Sequence, residues 1–273
     1  MPASEALRHV SKAFPPDYPA LASVANITGK VVLQVTISAE GRVTDARMVS
    51  GHPLFEASAV RAVRLWRYQP FIVDGAAVPI VTQVYLLFGQ GPEEQKYMLQ
   101  DIECRDLLQA KHYNEAAVAC KVALQTAQKS HNGLDRIAAA GNAGQVAMHL
   151  DQISEAVQDF QSQLQLAKKV LQPDDAQWAA IHHDLAVALS AVGQMEQAEL
   201  QYVETEKAFD VRSKSLQHNR GSYSKEVLAR LESDLNQQLR PTLEEHAALL
   251  RKMGRNPDAD GLDQRAKALS AAN

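Results

Sequence analysis

The chain has 273 residues, of which 46% are hydrophobic and 22% charged, with a formal net charge of −4. That length favours about two domains, and the composition excludes a disordered or fibrous chain. The small negative charge offers no broad cationic surface, so nucleic acid is set aside as a partner.

No apolar run reaches the roughly 18 residues needed to cross a bilayer. The first fourteen residues are interrupted by Glu5, Arg8, His9 and Lys12, and the sequence as written is expected to carry neither anchor nor export signal.

From Gly29 the pattern alternates. Val31, Leu33, Val35 and Ile37 recur every second residue, which places them on one face of a strand. Ala39-Glu40-Gly41-Arg42 reads as a turn, and Val43, Asp45, Arg47 and Val49 resume the alternation, giving a β-hairpin. The spacing of Leu54, Ala57, Ser58, Ala62, Leu65 and Trp66 predicts a helix from Leu54 to Tyr68, stopped by Pro70. A third strand is predicted from about Val78 to Phe88, with Ile80, Thr82, Val84, Leu86 and Phe88 on one face.

The order β-β-α-β implies a small α+β domain with a three-stranded antiparallel sheet. At least one sheet edge should stay open to a partner chain. Gln90-Gly91-Pro92 breaks the pattern, and the expected domains are 1–90 and 91–273.

Everything after this break reads as helix. A small residue followed by alanine twelve positions later occurs four times: Cys104 and Ala116, Gly144 and Ala156, Ala186 and Ala198, Ala247 and Ala259. Antiparallel helices approach closely only where both present small side chains, so these pairs mark helix crossings. Four residues after the alanines stand Cys120, Phe160 and Tyr202, but Asp263 in the last unit, which suits a polar cap. An additional helix is expected over about Tyr223 to Leu239, ending before Pro241.

From about Lys96 to Ala268 these positions resemble the tetratricopeptide repeat, with spacings longer than its usual period of about 34 residues. The resemblance implies an all-α superhelical array whose first helices line a groove for a peptide or protein. By repeat register the groove residues are Arg105, Asn142, Gln145, His149 and His183.

The first half carries Pro16-Asp17-Tyr18-Pro19, Gly29-Lys30-Val31, Glu40-Gly41-Arg42-Val43, Ser50-Gly51 and Ala62-Val63-Arg64-Leu65-Trp66-Arg67-Tyr68-Gln69-Pro70. In that order, over Pro15 to Phe88, they resemble the TonB C-terminal domain. The resemblance implies a periplasmic location in a Gram-negative bacterium. It also implies that the last strand, Ile80 to Phe88, pairs with a short segment of an outer-membrane TonB-dependent transporter or another envelope protein. Val81, Gln83 and Tyr85 are then the outward side chains that tune the choice of partner.

Pro15 stands where that family often has glutamine, so a contact made by that side chain is missing. The family's membrane helix is absent from the sequence as given. Either upstream residues belong to a full energy transducer, or the module binds without energising transport. A self-assembling scaffold, a homodimer paired through the open edge, is the third alternative. Tyr18, Trp66 and Tyr68 are expected as core aromatics.

No phosphate-binding glycine loop, nucleophile elbow or H-E-x-x-H signature occurs, so no catalytic residue, metal ligand or cofactor is assigned and an enzyme is not expected. His182 and His183 are adjacent, point about 100° apart on a helix, and do not form a metal pair. Cys104 and Cys120 lie symmetrically about His112 in the turn of the first helical hairpin. They can meet as a disulfide or remain two buried thiols.

Overall fold

Strands give way to helices near residue 90 in the computed structural model of the chain, which describes residues 1–89 and 91–271. Gln90, at the expected boundary, lies outside the described residues. The first part runs α1 (Ala3–Arg8), β1 (Val10–Lys12), α2 (Ala20–Val24), β2 (Gly29–Ile37), β3 (Val43–Ser50), α3 (Pro53–Arg64), β4 (Arg67–Tyr68), β5 (Phe71–Val73), β6 (Ala76–Val78) and β7 (Ile80–Phe88). The helices that follow are α4 (Pro92–Gln109), α5 (Tyr113–Ala127), α6 (Gly133–His149), α7 (Ile153–Val170), α8 (Gln177–Ala191), α9 (Met195–His218), α10 (Lys225–Lys252) and α11 (Asn256–Ala271). Two compact units divide at Asp135 and Arg136, inside α6, so the α4–α5 hairpin goes with the sheet.

The central sheet of the first unit has the order β3-β2-β7, with both pairings antiparallel. Val31, Leu33, Val35 and Ile37 of β2 are buried on one face, where Val84, Leu86 and Phe88 of β7 and Phe55, Ala59 and Val63 of α3 meet them. Phe55 and Phe88 stack with ring centroids 4.2 Å apart. The β2–β3 pairing shifts register near both ends. After the bulge Ala46 turns inward and Val49 is left exposed.

The turn before β3 depends on Gly41. Its φ is +77°, and a Cβ there would lie 2.0 Å from the Tyr68 carbonyl oxygen, whose own residue donates its amide to the Gly41 carbonyl at 2.9 Å. Only glycine admits so close a backbone approach.

The predicted helix from Leu54 to Tyr68 is shorter than its spacing suggests. It ends at Arg64, Leu65 is 53% exposed, and Arg67–Tyr68 become β4, paired with β1. Tertiary contacts override the helical spacing here. The Trp66 indole donates to the Phe14 carbonyl at 2.9 Å and the Gln69 amide to that of His9 at 2.7 Å, while Pro70 biases Gln69 towards an extended conformation. Trp66 and Tyr68 are buried as expected. Tyr18 is 37% exposed at the rim, its hydroxyl donating to the Ile27 carbonyl at 2.7 Å.

Helices pair in succession, α4 with α5 in the first unit and α8 with α9 and α10 with α11 in the second. Each predicted small position falls at a buried site: Cys104 and Ala116, Gly144 and Ala156, Ala186 and Ala198, and Ala247 and Ala259. A Cβ on Gly144 would lie 2.5 Å from the Phe160 ring, which shows how tightly α6 and α7 approach. In the last hairpin, where Asp263 replaces a bulky residue, Arg251 pairs with it at 2.6 Å.

Pro241 does not end a helix. It lies inside the 28-residue α10, which begins at Lys225 with Ser224 capping the Val227 amide. Leu228, Leu235, Leu243, Ala247 and Leu250 are buried along its length, and the Thr242 hydroxyl donates to the Gln238 carbonyl next to the break. One continuous apolar face outweighs the single backbone bond a proline removes.

Candidate partner-binding edge and repeat face

The candidate edge is the side of β7 that does not face β2. Thr82, Val84, Leu86 and Phe88 are buried, while Val81 and Gln83 are exposed and Tyr85 is half-buried, so Val81, Gln83 and Tyr85 lie on the outer face. The Val81 carbonyl accepts from outside the sheet. Antiparallel alternation then turns the main-chain groups of Gln83 and Tyr85 the same way, and Thr82 and Val84 towards β2. The edge therefore presents a row of donors and acceptors in register.

Around these residues the first unit forms a cleft of about 650 Å³, lined by Gln34, Val81, Gln83 and Tyr85 of the sheet and by Arg105 and Gln109 of α4. The Tyr85 hydroxyl donates to the Gln83 side chain at 2.7 Å, and the Arg105 guanidinium lies 5.6 Å from the centre of the Tyr85 ring. Arg105 also pairs with Asp101 at 3.0 Å. Its pKa rises because the Asp101 charge and Tyr85 outweigh the effect of burial. Arg105, read from the sequence as a repeat-groove residue, thus joins the strand-edge set. Nothing in the strand pattern signals that a helix from beyond residue 90 borders this edge.

The other groove residues belong to the second unit. Asn142 is half-buried on α6, Gln145 and His149 are exposed on the same helix, and His183 is half-buried on α8. His183 Nε2 lies 2.8 Å from Glu245 on α10, and Nδ1 lies 3.7 Å from Asp184. Asp184 and Glu245 together push the imidazole pKa up to about 9. The Tyr202 hydroxyl also donates to Glu245, at 3.4 Å, and the Tyr202 ring stacks on His246 with centroids 5.3 Å apart. His246 in turn meets Glu206 at 2.8 Å, and Arg265 holds the other oxygen of that carboxylate. Burial opposes ionisation of Glu206, but His246 and Arg265 hold its pKa below the ordinary value. This side-chain chain links α8, α9, α10 and α11; the sequence singled out His183 as a groove residue and Tyr202 as a packing position, and none of the others.

Cys104 and Cys120 form a disulfide across the α4–α5 hairpin. Among the described residues no group of three His, Cys, Asp or Glu side chains is arranged to hold a metal ion, and no helix is long and apolar enough to cross a membrane.

Residues 15–89 match the family described as Gram-negative bacterial TonB protein C-terminal. The chain is 37% identical over 57 residues to Protein TonB of Escherichia coli (strain K12), covering 20% of this chain and 24% of that protein. It is 29% identical over 79 residues to Protein TonB of Vibrio cholerae serotype O1, covering 28% of this chain and 32% of that one. The match thus spans less than a third of either relative's length.

Among solved structures, the Pseudomonas aeruginosa TonB CTD is 27% identical over 29% of this chain and 82% of its own, with a TM-score of 0.26. MamA from Desulfovibrio magneticus RS-1, residue 41 to the end, is 13% identical over 66% of this chain and 77% of its own, with a TM-score of 0.44. Residues 15–89 thus match a TonB C-terminal-type domain, and successive helical hairpins follow it in the chain.

Proposed function

We propose that the chain is a protein-binding adaptor of the Gram-negative periplasm. Its TonB-type module, residues 1–90, takes an extended segment of an outer-membrane transporter or another envelope protein as an added strand on β7. Its hairpins, within 91–273, recruit a second protein through faces that include Asn142, Gln145, His149 and His183. The observation that carries this reading is the outward main chain of β7 at Val81, Gln83 and Tyr85, in a domain matching the TonB C-terminal family. Main-chain bonds supply affinity there, and the outward side chains select the partner. The Cys104–Cys120 disulfide supports an oxidising compartment.

Isothermal titration of the full chain with peptides from the N-termini of outer-membrane transporters tests the reading. Micromolar binding is expected, on the order of −8 kcal/mol. Gln83→Pro, which removes one outward donor, should abolish it. Unchanged binding by the proline variant would move the site away from this edge.

A further inference from the structure

The free side of β7 is not bare along its whole length. At its start the chain's own N-terminal segment lies against it. The Met1 nitrogen donates to the Val81 carbonyl at 3.2 Å, and the Thr82 hydroxyl donates to the Met1 carbonyl at 3.2 Å. Three residues on, the Ser4 amide donates to the Asp106 carboxylate at 2.7 Å and ties the start of α1 to α4.

Ala3 and Ala6, in the same short helix, are 5% and 2% exposed, and Ala6 belongs to the core cluster of the sheet. The segment is therefore held by bonds to the strand, a charge-assisted bond to the helix and two small buried side chains. Met1, Pro2 and Ala3 line one end of the cleft between β7 and α4, which continues past them along Gln83 and Tyr85. The His9 carbonyl accepts from the Gln69 amide and Val10 pairs with Tyr68 in the β1–β4 ladder, so lifting Met1–Arg8 leaves both in place.

We propose that Met1–Arg8 is an internal latch on the strand-addition edge. A partner segment pairs first at Gln83 and Tyr85 in the open cleft, and reaches Val81 only by displacing the latch. The proposal rests on the strand-addition reading above and adds a regulatory step to it. The competition is direct, because the outward carbonyl of Val81 receives either the Met1 nitrogen or an N–H of the incoming strand. A long segment therefore binds with an apparent affinity reduced by the fraction of molecules whose latch is open. A short one, ending at Gln83, binds without that reduction.

Asp106→Ala removes the acceptor of the Ser4 amide and places a strong helix former on α4, so the hairpin is retained. Hydrogen bonds to a charged group are strong enough that long transporter-derived peptides should bind this variant about tenfold more tightly than the wild type. Peptides confined to the Leu87–Gln83 stretch should gain nothing.

A second measurement uses the wild-type chain alone. Saturation with a long peptide should speed amide exchange at Ala6 and His9, whose amides bond the Pro2 and Ala6 carbonyls. Equal affinity for both chains, with N-terminal exchange unchanged at saturation, would overturn the latch and leave strand addition standing. Failure of every peptide to bind either chain would overturn both.

Discussion

In the first unit large aromatic side chains fill the core, with Phe55 stacked on Phe88 and with Trp66, Tyr68 and Phe71 beside them. In the second the helices meet through residues as small as Gly144, Ala156, Ala186 and Ala198. Polar groups are handled as differently. Around the sheet core of the first unit the Trp66 indole and the Ser58 hydroxyl donate to main-chain carbonyls of Phe14 and Asp17. In the second, His183, Glu245 and Tyr202, and then His246, Glu206 and Arg265, bond one another through side chains. A sheet module held by backbone geometry should thus be sensitive to φ and to main-chain donors, and a helical array held by close approach and ionisable pairs to side-chain volume and pH.

The largest effect expected from this contrast is at Gly41. Gly41→Val places a β-branched residue at φ +77° with its Cβ on the Tyr68 carbonyl, and should cost the first unit more than about 3 kcal/mol. Denaturant unfolding followed by Trp66 fluorescence, in a Trp178→Phe background, reads this directly. A loss below about 1 kcal/mol would show that the turn is not pinned by its backbone.

Reduction of the Cys104–Cys120 disulfide comes next. Its 16-residue separation corresponds to about 3 kcal/mol of chain-entropy stabilisation. Amide protection should fall in α4 and α5 and stay the same from Arg136 onward, where the chain has no cysteine. Equal losses in both units would mean that they unfold together.

The smallest effect is the pH response of the second unit. His183 has its pKa raised from 6.5 to about 9, so its contribution is full below pH 6.5 and is lost as pH rises through about 9. Glu245, held below its ordinary value by His183, contributes above the ordinary carboxylate range and loses that contribution as pH falls. The pair therefore stabilises the window between. His183→Gln should lower stability at pH 7 by about 1 kcal/mol, allowing for partial exposure, and should flatten the decline between about pH 6.5 and 9. An unaltered alkaline decline in the variant would assign it to other groups.

The contrast also accounts for what the sequence made legible. Alternation in Val31 to Ile37 and the four small-residue pairs are local periodicities, and they map onto the buried face of β2 and the helix hairpins. The same periodicity overran the end of α3, because Trp66 and Tyr68 answer to Phe14 and the β1 strand and not to their helical neighbours. Asp74-Gly75, both with positive φ, close the β5–β6 hairpin; this was a readable turn signal that the strand assignment from Val78 passed over.

The N-terminal segment against β7, the placement of Arg105 over Tyr85 and the His246–Glu206 pair join residues far apart in the chain. No window of sequence contains both partners. The open edge itself followed from counting strands, whereas its partial cover did not.

The central claim is that β7 accepts a strand through the main chain of its outer side. Residue-resolved amide exchange of the full chain, with and without a saturating transporter-derived peptide, tests it most directly. The account predicts new protection at Gln83 and Tyr85, whose amides point away from β2, and little change at Thr82 and Val84, which already face it. Protection that leaves Gln83 and Tyr85 untouched and gathers on α6 and α8 would contradict the account and make the helical array the site of binding.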